Sequence, residues 1–324
     1  MNSSSLHNRF NMFDGSSSIH DFGEVFIDGL PKHLKNLKIP GRLLSDGHRR
    51  APVSAQIEQV AEIQNAMREV LFHTVTQDAQ SYAERAFRAF LKKDKPDVGI
   101  LKFFNGWNEI HKTTSLVAAK TIMRLSADAV SISVEKQMEY NIVLAHMHEV
   151  AKDDFGLGHE GHDGMYSYMT AAFGATGWVE NQYAVNECNA FSEFLYKVGV
   201  AKHRAAMNSI EHKRSIMNAM MVSIASELWN GREYNFIAQY IEEKLVSLNA
   251  SLSRNLKKLR EAKGYVLVHS GEVENKHGLH ALAAAQAFGR LADQRLDIDQ
   301  LKDVMLDYNQ RVGRAFHALH EALL

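Results

Sequence analysis

In SAQIEQVAEIQNAMREVLF, residues 54–72, apolar side chains return at three- and four-residue steps, the period of an α-helix with one buried face. The same period predicts a helix over 78–92 and further helices near 101–127, 131–154, 162–173, 183–205, 209–229, 232–249, 264–290 and 297–323. Alternating, strand-like runs are scarce; VSISV at 130–134 is the best of them and too isolated to build a sheet. Proline points the same way. None follows Pro96, and since proline breaks helix interiors its absence favours long helices. The prediction is an all-α protein, a single bundle of eight to ten helices over residues 53–324 preceded by an N-terminal arm, 1–52. Residues 1 to about 22 are rich in Ser and Asn without a period, which predicts disorder or loose attachment. Residues 23–52 hold three of the four prolines, Pro31, Pro40 and Pro52, and the basic GHRR, and read as irregular chain lying on a surface.

Composition narrows the class. The chain has 324 residues, 45% hydrophobic and 23% charged, enough to bury a sizeable core. A net charge of −1 argues against a dominant nucleic-acid surface, which needs clustered positive charge. No apolar run is long enough for a transmembrane helix, and the first residues lack the basic start and apolar stretch of a secretory signal. The expected location is therefore the cytoplasm, with no membrane and no nucleic-acid partner. The single Cys188 excludes an intrachain disulfide and a Cys-rich metal cage. Histidine is the unusual count, at 17.

Three stretches carry candidate chemistry. AKDDFGLGHEGHDGMY, residues 151–166, concentrates acids, histidines and glycines after HMHE, His146 to Glu149. A helix ending near Asp154, a turn at Gly156 and Gly158, and a helix starting near His162 would bring a carboxylate and an imidazole to one cation. Taken alone, the acids and glycines read better as capping, with Asp163 at a helix start and Asp153 and Asp154 solvated. The second stretch is YVLVHSGEVENKHGLHALAAA, 265–285. There Glu274 and His277 are three apart and share a helix face, as in the Glu-x-x-His pairs of carboxylate-bridged metal sites. His269 lies five residues before Glu274, one too many for the same face, and a π-bulge at Ser270 or Gly271 would restore it. The third is SIASELW, where Glu227 borders the apolar stripe of Met217, Met220, Met221, Ile224 and Leu228. A carboxylate there must be protonated, paired or metal-bound, or else turned to solvent or to Arg232.

The order of these elements resembles the heme-oxygenase-like diiron oxidases and oxygenases, fold relatives of the thiaminase-type and pyrroloquinoline-quinone synthase-type helical proteins. DDFGLG followed by His162 is similar to the family's acid–Gly–Gly–His pattern, with Asp154 in place of its Glu. Glu227 falls where a later helix supplies a carboxylate. Tyr265, His269, Glu274 and His277 are similar to its last ligand helix, with one residue too many after His269. The resemblance spans about residues 100–323. It implies a heme-oxygenase-like bundle and a metal set of Asp154, His162, Glu227, His269, Glu274 and His277, with His280 or Glu272 as substitutes for His269. A further acid from an earlier helix is expected, Glu109 or Asp128.

Carboxylates with imidazoles suit iron(II), here two ions, with manganese as the alternative. The implied activity is that of a non-heme diiron enzyme using dioxygen as co-substrate to oxidise a small molecule resembling an amino acid or a fatty acid. Met165, Tyr166, Tyr168 and Met169 would line the pocket or serve as core. A homodimer is compatible with these residues and not required by them. Two other readings stand beside this one. GHEGHD, 158–163, resembles the His-Asp dyad of HD-type metal phosphohydrolases, with His146 or His148 upstream. A non-catalytic helical protein that binds a ligand is the other.

Overall fold

The periodic segments are helices in the computed structural model, which describes residues 17–44, 51–152, 161–200 and 205–324, with the backbone alone for Arg42, His162 and Val200. The fold is all-α. Its α-helices are α1 (Ile19–Asn36), α2 (Val60–Phe72), α3 (Thr74–Lys92), α4 (Val98–Asp128), α5 (Gln137–Ala151), α6 (His162–Ala172) and α7 (Asn186–Leu195). They continue with α8 (Ile210–Ala238), α9 (Ile241–Leu248), α10 (Leu256–Ala262), α11 (Gly264–His269), α12 (Val273–Leu291) and α13 (Ile298–Leu323). Among the described residues the only strands are the two-residue antiparallel pair β1 (Lys38–Ile39) and β2 (Val53–Ser54). No helix among the described residues is long and apolar enough to cross a membrane.

The arm is the largest departure from expectation. Residues 19–36 are not irregular but form α1, opened by a capping box in which Ser18 Oγ accepts from Asp21 N at 3.1 Å and Asp21 accepts from Ser18 N at 2.7 Å. Phe22, Phe26, Ile27, Leu30 and Leu34 are buried along one stripe. That burial outweighs Pro31, which sits inside the helix and misled the reading of the segment. As expected, VSISV builds no sheet: its ends fall in two 3-10 turns, Ala129–Ser131 and Val134–Lys136, and Val130 and Val134 are exposed. An isolated β-branched run with no partner strand has nothing to pair with.

Several helix boundaries also move: the helix expected at 131–154 starts only at Gln137, and the one expected at 183–205 is α7 followed by a π-helical turn, Tyr196–Val200. The segments expected at 209–229 and 232–249 are instead α8, which runs on through Gly231 to Ala238, and the separate α9. The segment expected at 264–290 is split between α11 and α12. Every residue of α8 from Ala219 to Ile237 is buried, so α8 is the central helix, with protein on all sides. α12 lies between α8 and α5, α13 packs along α3, and α1 crosses α8 beside α2.

Phe87 of α3 centres the aromatic part of the core. Its ring lies 5.8 Å from Phe103, 5.5 Å from Trp107, 6.0 Å from Phe236 and 5.6 Å from Phe316. Replacing Phe87 by Ala leaves a cavity that four elements cannot close together, and unfolding in urea is expected to show a loss of about 3–5 kcal/mol. Val130→Asp, at a position 86% exposed, is expected to change stability by less than about 0.5 kcal/mol. Equal losses for the two would contradict this assignment of the core.

Candidate metal centre

Where α8 crosses α12 the backbones approach closely. A Cβ on Gly231 would meet Asn275 Oδ1 at 2.4 Å, and one on Gly278 would meet Leu228 Cδ2 at 2.8 Å. These two glycines let the helices touch, and the contact brings Glu227 of α8 against the first turns of α12. The chain enters α12 through a break at Ser270–Glu272, with Gly271 left-handed at φ 74°. Asn235 of α8 clamps this break: its Nδ2 donates to Gly271 O at 3.0 Å, and Gly271 N donates to its Oδ1 at 2.7 Å. The π-bulge expected at Ser270 or Gly271 is therefore replaced by a full helix break, which redirects His269 instead of keeping it on the face of Glu274.

Glu227, Glu274 and His277 come together and are all buried, with one ligand atom from each lying within 4.8 Å of the others. His277 Nδ1 is 3.3 Å from Glu274 Oε2 and 3.7 Å from Glu227 Oε2. Metal–ligand bonds of about 2.1 Å place neighbouring donors about 3 Å apart and opposed donors about 4.2 Å apart, so small side-chain shifts would close this group on one ion. His269 is one contact further out, its Nδ1 hydrogen-bonded to Glu274 Oε1. In this arrangement His269 orients Glu274. Tyr234 stacks on the His269 ring at 4.7 Å, and its hydroxyl meets that of Tyr265 at 2.7 Å, which fixes the ring plane.

The electrostatics of the two carboxylates diverge. Burial, reinforced by the neighbouring Glu274, holds the Glu227 carboxyl well above the usual range. Burial pushes Glu274 upward as well, but the imidazoles of His269 and His277 overcome it and hold that carboxyl well below. The pair therefore carries one proton where a cation would carry two positive charges. Oxygen and nitrogen donors without thiolate favour iron, manganese or zinc over thiolate-selected ions. Cys188 is no candidate, since burial pushes its thiol up and it lies against Gly106 and Ala315 in the core.

The other predicted ligands have different fates. Asp154 lies outside the described residues, and His162 opens α6 with its side chain outside them as well. Glu109 pairs with Lys112, and Asp128 bonds His212 Nε2 at 2.8 Å, so neither joins the group. Glu272 is exposed at the start of α12. His280 turns instead to α5, its Nδ1 2.9 Å from Nδ1 of His146. Tyr166 and Met169 are core, Met165 is half-buried beside it, and Tyr168 is exposed with its hydroxyl on Glu261. Gly174 follows the end of α6, with φ 77° and its N–H donating to Ala171 O. Of the dyad in GHEGHD, Asp163 is exposed, and of its upstream candidates His148 is exposed and His146 is committed to His280.

Sequence reasoning missed Glu233, a fully buried carboxylate that accepts from Trp107 Nε1 and Trp229 Nε1 at 2.6 Å each and meets His111 Nε2 at 2.9 Å. It also missed the Asn235 clamp. The available signal was the density of polar residues in SELWNGREYN inside an otherwise apolar run. Compared with known proteins, the chain matches no family model, no curated protein and no solved structure.

The His146–His280 pair makes a prediction of its own. Burial, then the nearby Arg290, pushes the His146 imidazole down to about 4, and burial, then His146 itself, pushes His280 down to about 2. Both rings are neutral in the fold, while in the unfolded chain they take protons below about pH 6.5. Their contribution is thus complete above about pH 6.5 and is lost as pH falls toward 4. The loss is on the order of 3 kcal/mol for His146 alone. Thermal melts across this window should fall steeply for the wild type and less steeply for the double variant His146→Leu/His280→Leu. Parallel curves would show that the pair does not titrate as described.

Proposed function

We propose that this chain is a non-heme iron oxidase or oxygenase that uses dioxygen to oxidise a small molecule. The observation that supports the reading is the buried group Glu227, Glu274 and His277, assembled from two helices with one ligand atom from each within 4.8 Å of the others. In this proposal one iron(II) is held by those three side chains, with His269 as the residue that sets the Glu274 carboxylate. A second iron is held with Asp154 and His162, the remaining residues of the expected set. Manganese is the alternative ion.

Bound iron(II) would supply the electrons and open coordination positions that dioxygen needs. The chain's own contribution is to hold the donors and keep the site dry. Trp107, Tyr166, Tyr234 and Tyr265 form a continuous aromatic wall on the His269 side, with centroid separations from 4.9 to 6.0 Å. Such a wall excludes bulk water, which strengthens every charge interaction inside it. Glu227 is the residue whose proton must leave when a cation enters. Metal uptake by this centre therefore releases a proton and tightens as pH rises.

Anaerobic addition of iron(II), then oxygen, tests the proposal. Two irons per chain and a transient visible absorption band are expected in the wild type, with the band lost in Glu227→Ala. Absence of a band in the wild type, or an undiminished band in the variant, would overturn it.

A further inference from the structure

The end of α12 away from the metal centre closes one side of a cavity of about 200 Å³. Leu291 lies fourteen residues beyond His277 on that helix, about 21 Å along its axis at 1.5 Å per residue, so the cavity is no part of the metal centre. Much of its wall is apolar. Leu125 of α4 and Phe288 and Leu291 of α12 are buried there, and Ile132 is half-buried. The mouth is apolar too: Val130 and Val134 flank the lining segment 131–133, Met207 precedes the lining Asn208, and all three are exposed. Exposed apolar side chains gathered around an opening mark a place where something binds.

Two cations line the same cavity, Lys136 from the turn before α5 and Lys213 from the first turn of α8. Lys136 Nζ donates to Leu291 O at 2.9 Å and Lys213 Nζ to Ala292 O at 3.5 Å, so consecutive carbonyls gather both ammoniums at the end of α12. The helix dipole favours cations there, but capping leaves most of their three N–H groups unused. Lys136 gives a second one to Asp293 at 2.6 Å, while Lys213 has only its long contact with Ala292. Three further polar residues of the wall are committed within the protein. Both oxygens of Asp128 face His212 Nε2, at 3.0 and 2.8 Å, Ser131 Oγ donates to Asp128 O, and the Tyr140 hydroxyl donates to Leu125 O. Arg124, one turn earlier on α4, answers the Asp128 charge.

Size and charge define what fits. A closed apolar cavity of about 150 Å³ admits benzene, and this one is larger by room for a small polar head. Against the two ammoniums stands one carboxylate, Asp293, which leaves one positive charge for an occupant to cancel. A monoanion does so, whereas a dianion would leave a charge of the opposite sign. Water would satisfy the ammoniums but not the apolar wall; an amphipathic anion satisfies both.

We propose that this cavity between α4, α5, α8 and the end of α12 binds a small organic carboxylate with an apolar body of ring size. Its head lies on Lys136 and Lys213, and its body lies against Leu125, Ile132, Phe288 and Leu291. The site does not depend on the metal reading.

The test is a fluorine NMR titration of para-fluorobenzoate with the full chain in chelator-containing buffer. A saturable shift and broadening of the fluorine signal are expected, reversed by benzoate. Lys136→Met and Lys213→Met keep an apolar stem and remove the charge. Each should bind at least about tenfold more weakly, with an unfolding temperature within a few degrees of the wild type. Ile132→Asp should abolish the shift, and Lys302→Met, a lysine paired on the surface with Glu69 and Asp299, should bind as the wild type does. No saturable shift in the wild type, or an unchanged affinity in the lysine variants of the cavity, would overturn the proposal. So would equal affinity for para-fluorobenzyl alcohol, which shows an apolar hole without a charge requirement. Tighter binding of para-fluorophenyl phosphate would contradict the monoanion, and acetate displacing the probe as well as benzoate does would contradict the apolar body. Because chelator is present throughout, none of these results bears on iron.

Discussion

Two carboxylates and an imidazole have been taken out of water at the crossing of α8 and α12, and much of the bundle's interior is arranged around that fact. Glu227 is 2% exposed, Glu274 3% and His277 4%. Two buried carboxylates at this separation cannot both be ionised without a countercharge. In the protein alone, protonation of Glu227 resolves the conflict, and the two imidazoles beside Glu274 keep the second charge in place. A divalent cation resolves it better, since it satisfies both acids at once. The group is therefore costly as a structural device and well suited as a ligand set.

The surrounding polar residues serve to hold this group. Asn235 pins the break before α12 to α8, so that Glu274 starts its helix at a fixed height against Glu227. Gly231 and Gly278 remove the side chains that would keep the two helices apart. Glu233, with its three donors, ties α8 to α4 through Trp107 and His111 on the opposite face. On the α5 face, the His146–His280 bond and the Arg290–Glu139 pair hold α12 from outside. Helix α8 is thus braced on several sides by polar contacts inside an apolar core, where each is stronger than at the surface.

The all-α class and most helix boundaries were legible because a 3.6-residue period survives without knowledge of the partner face. The helix of the arm was not, because Pro31 and the Ser-rich start outweighed a clear stripe from Phe22 to Leu34. Of the six predicted ligands, Glu227, Glu274 and His277 meet, and the spacing of three between the last two was enough to place them on one face. The position of His269 was not legible, since one extra residue can be absorbed by a bulge or by a break, and the choice rests on Asn235, thirty-odd residues away in sequence. Nor could periodicity reveal that α8 is buried on every side. It presented Glu227 as a border residue and hid Arg232 and Glu233 in what reads as a polar face.

The central claim is that these three side chains share one cation. Anomalous diffraction at the iron or manganese absorption edge, from crystals grown with that ion, measures it directly. The account predicts a peak bonded to carboxylate oxygens of Glu227 and Glu274 and to Nδ1 of His277, at about 2.0–2.3 Å from each. A saturated crystal with no peak there, or with its only peak on other residues, would contradict it.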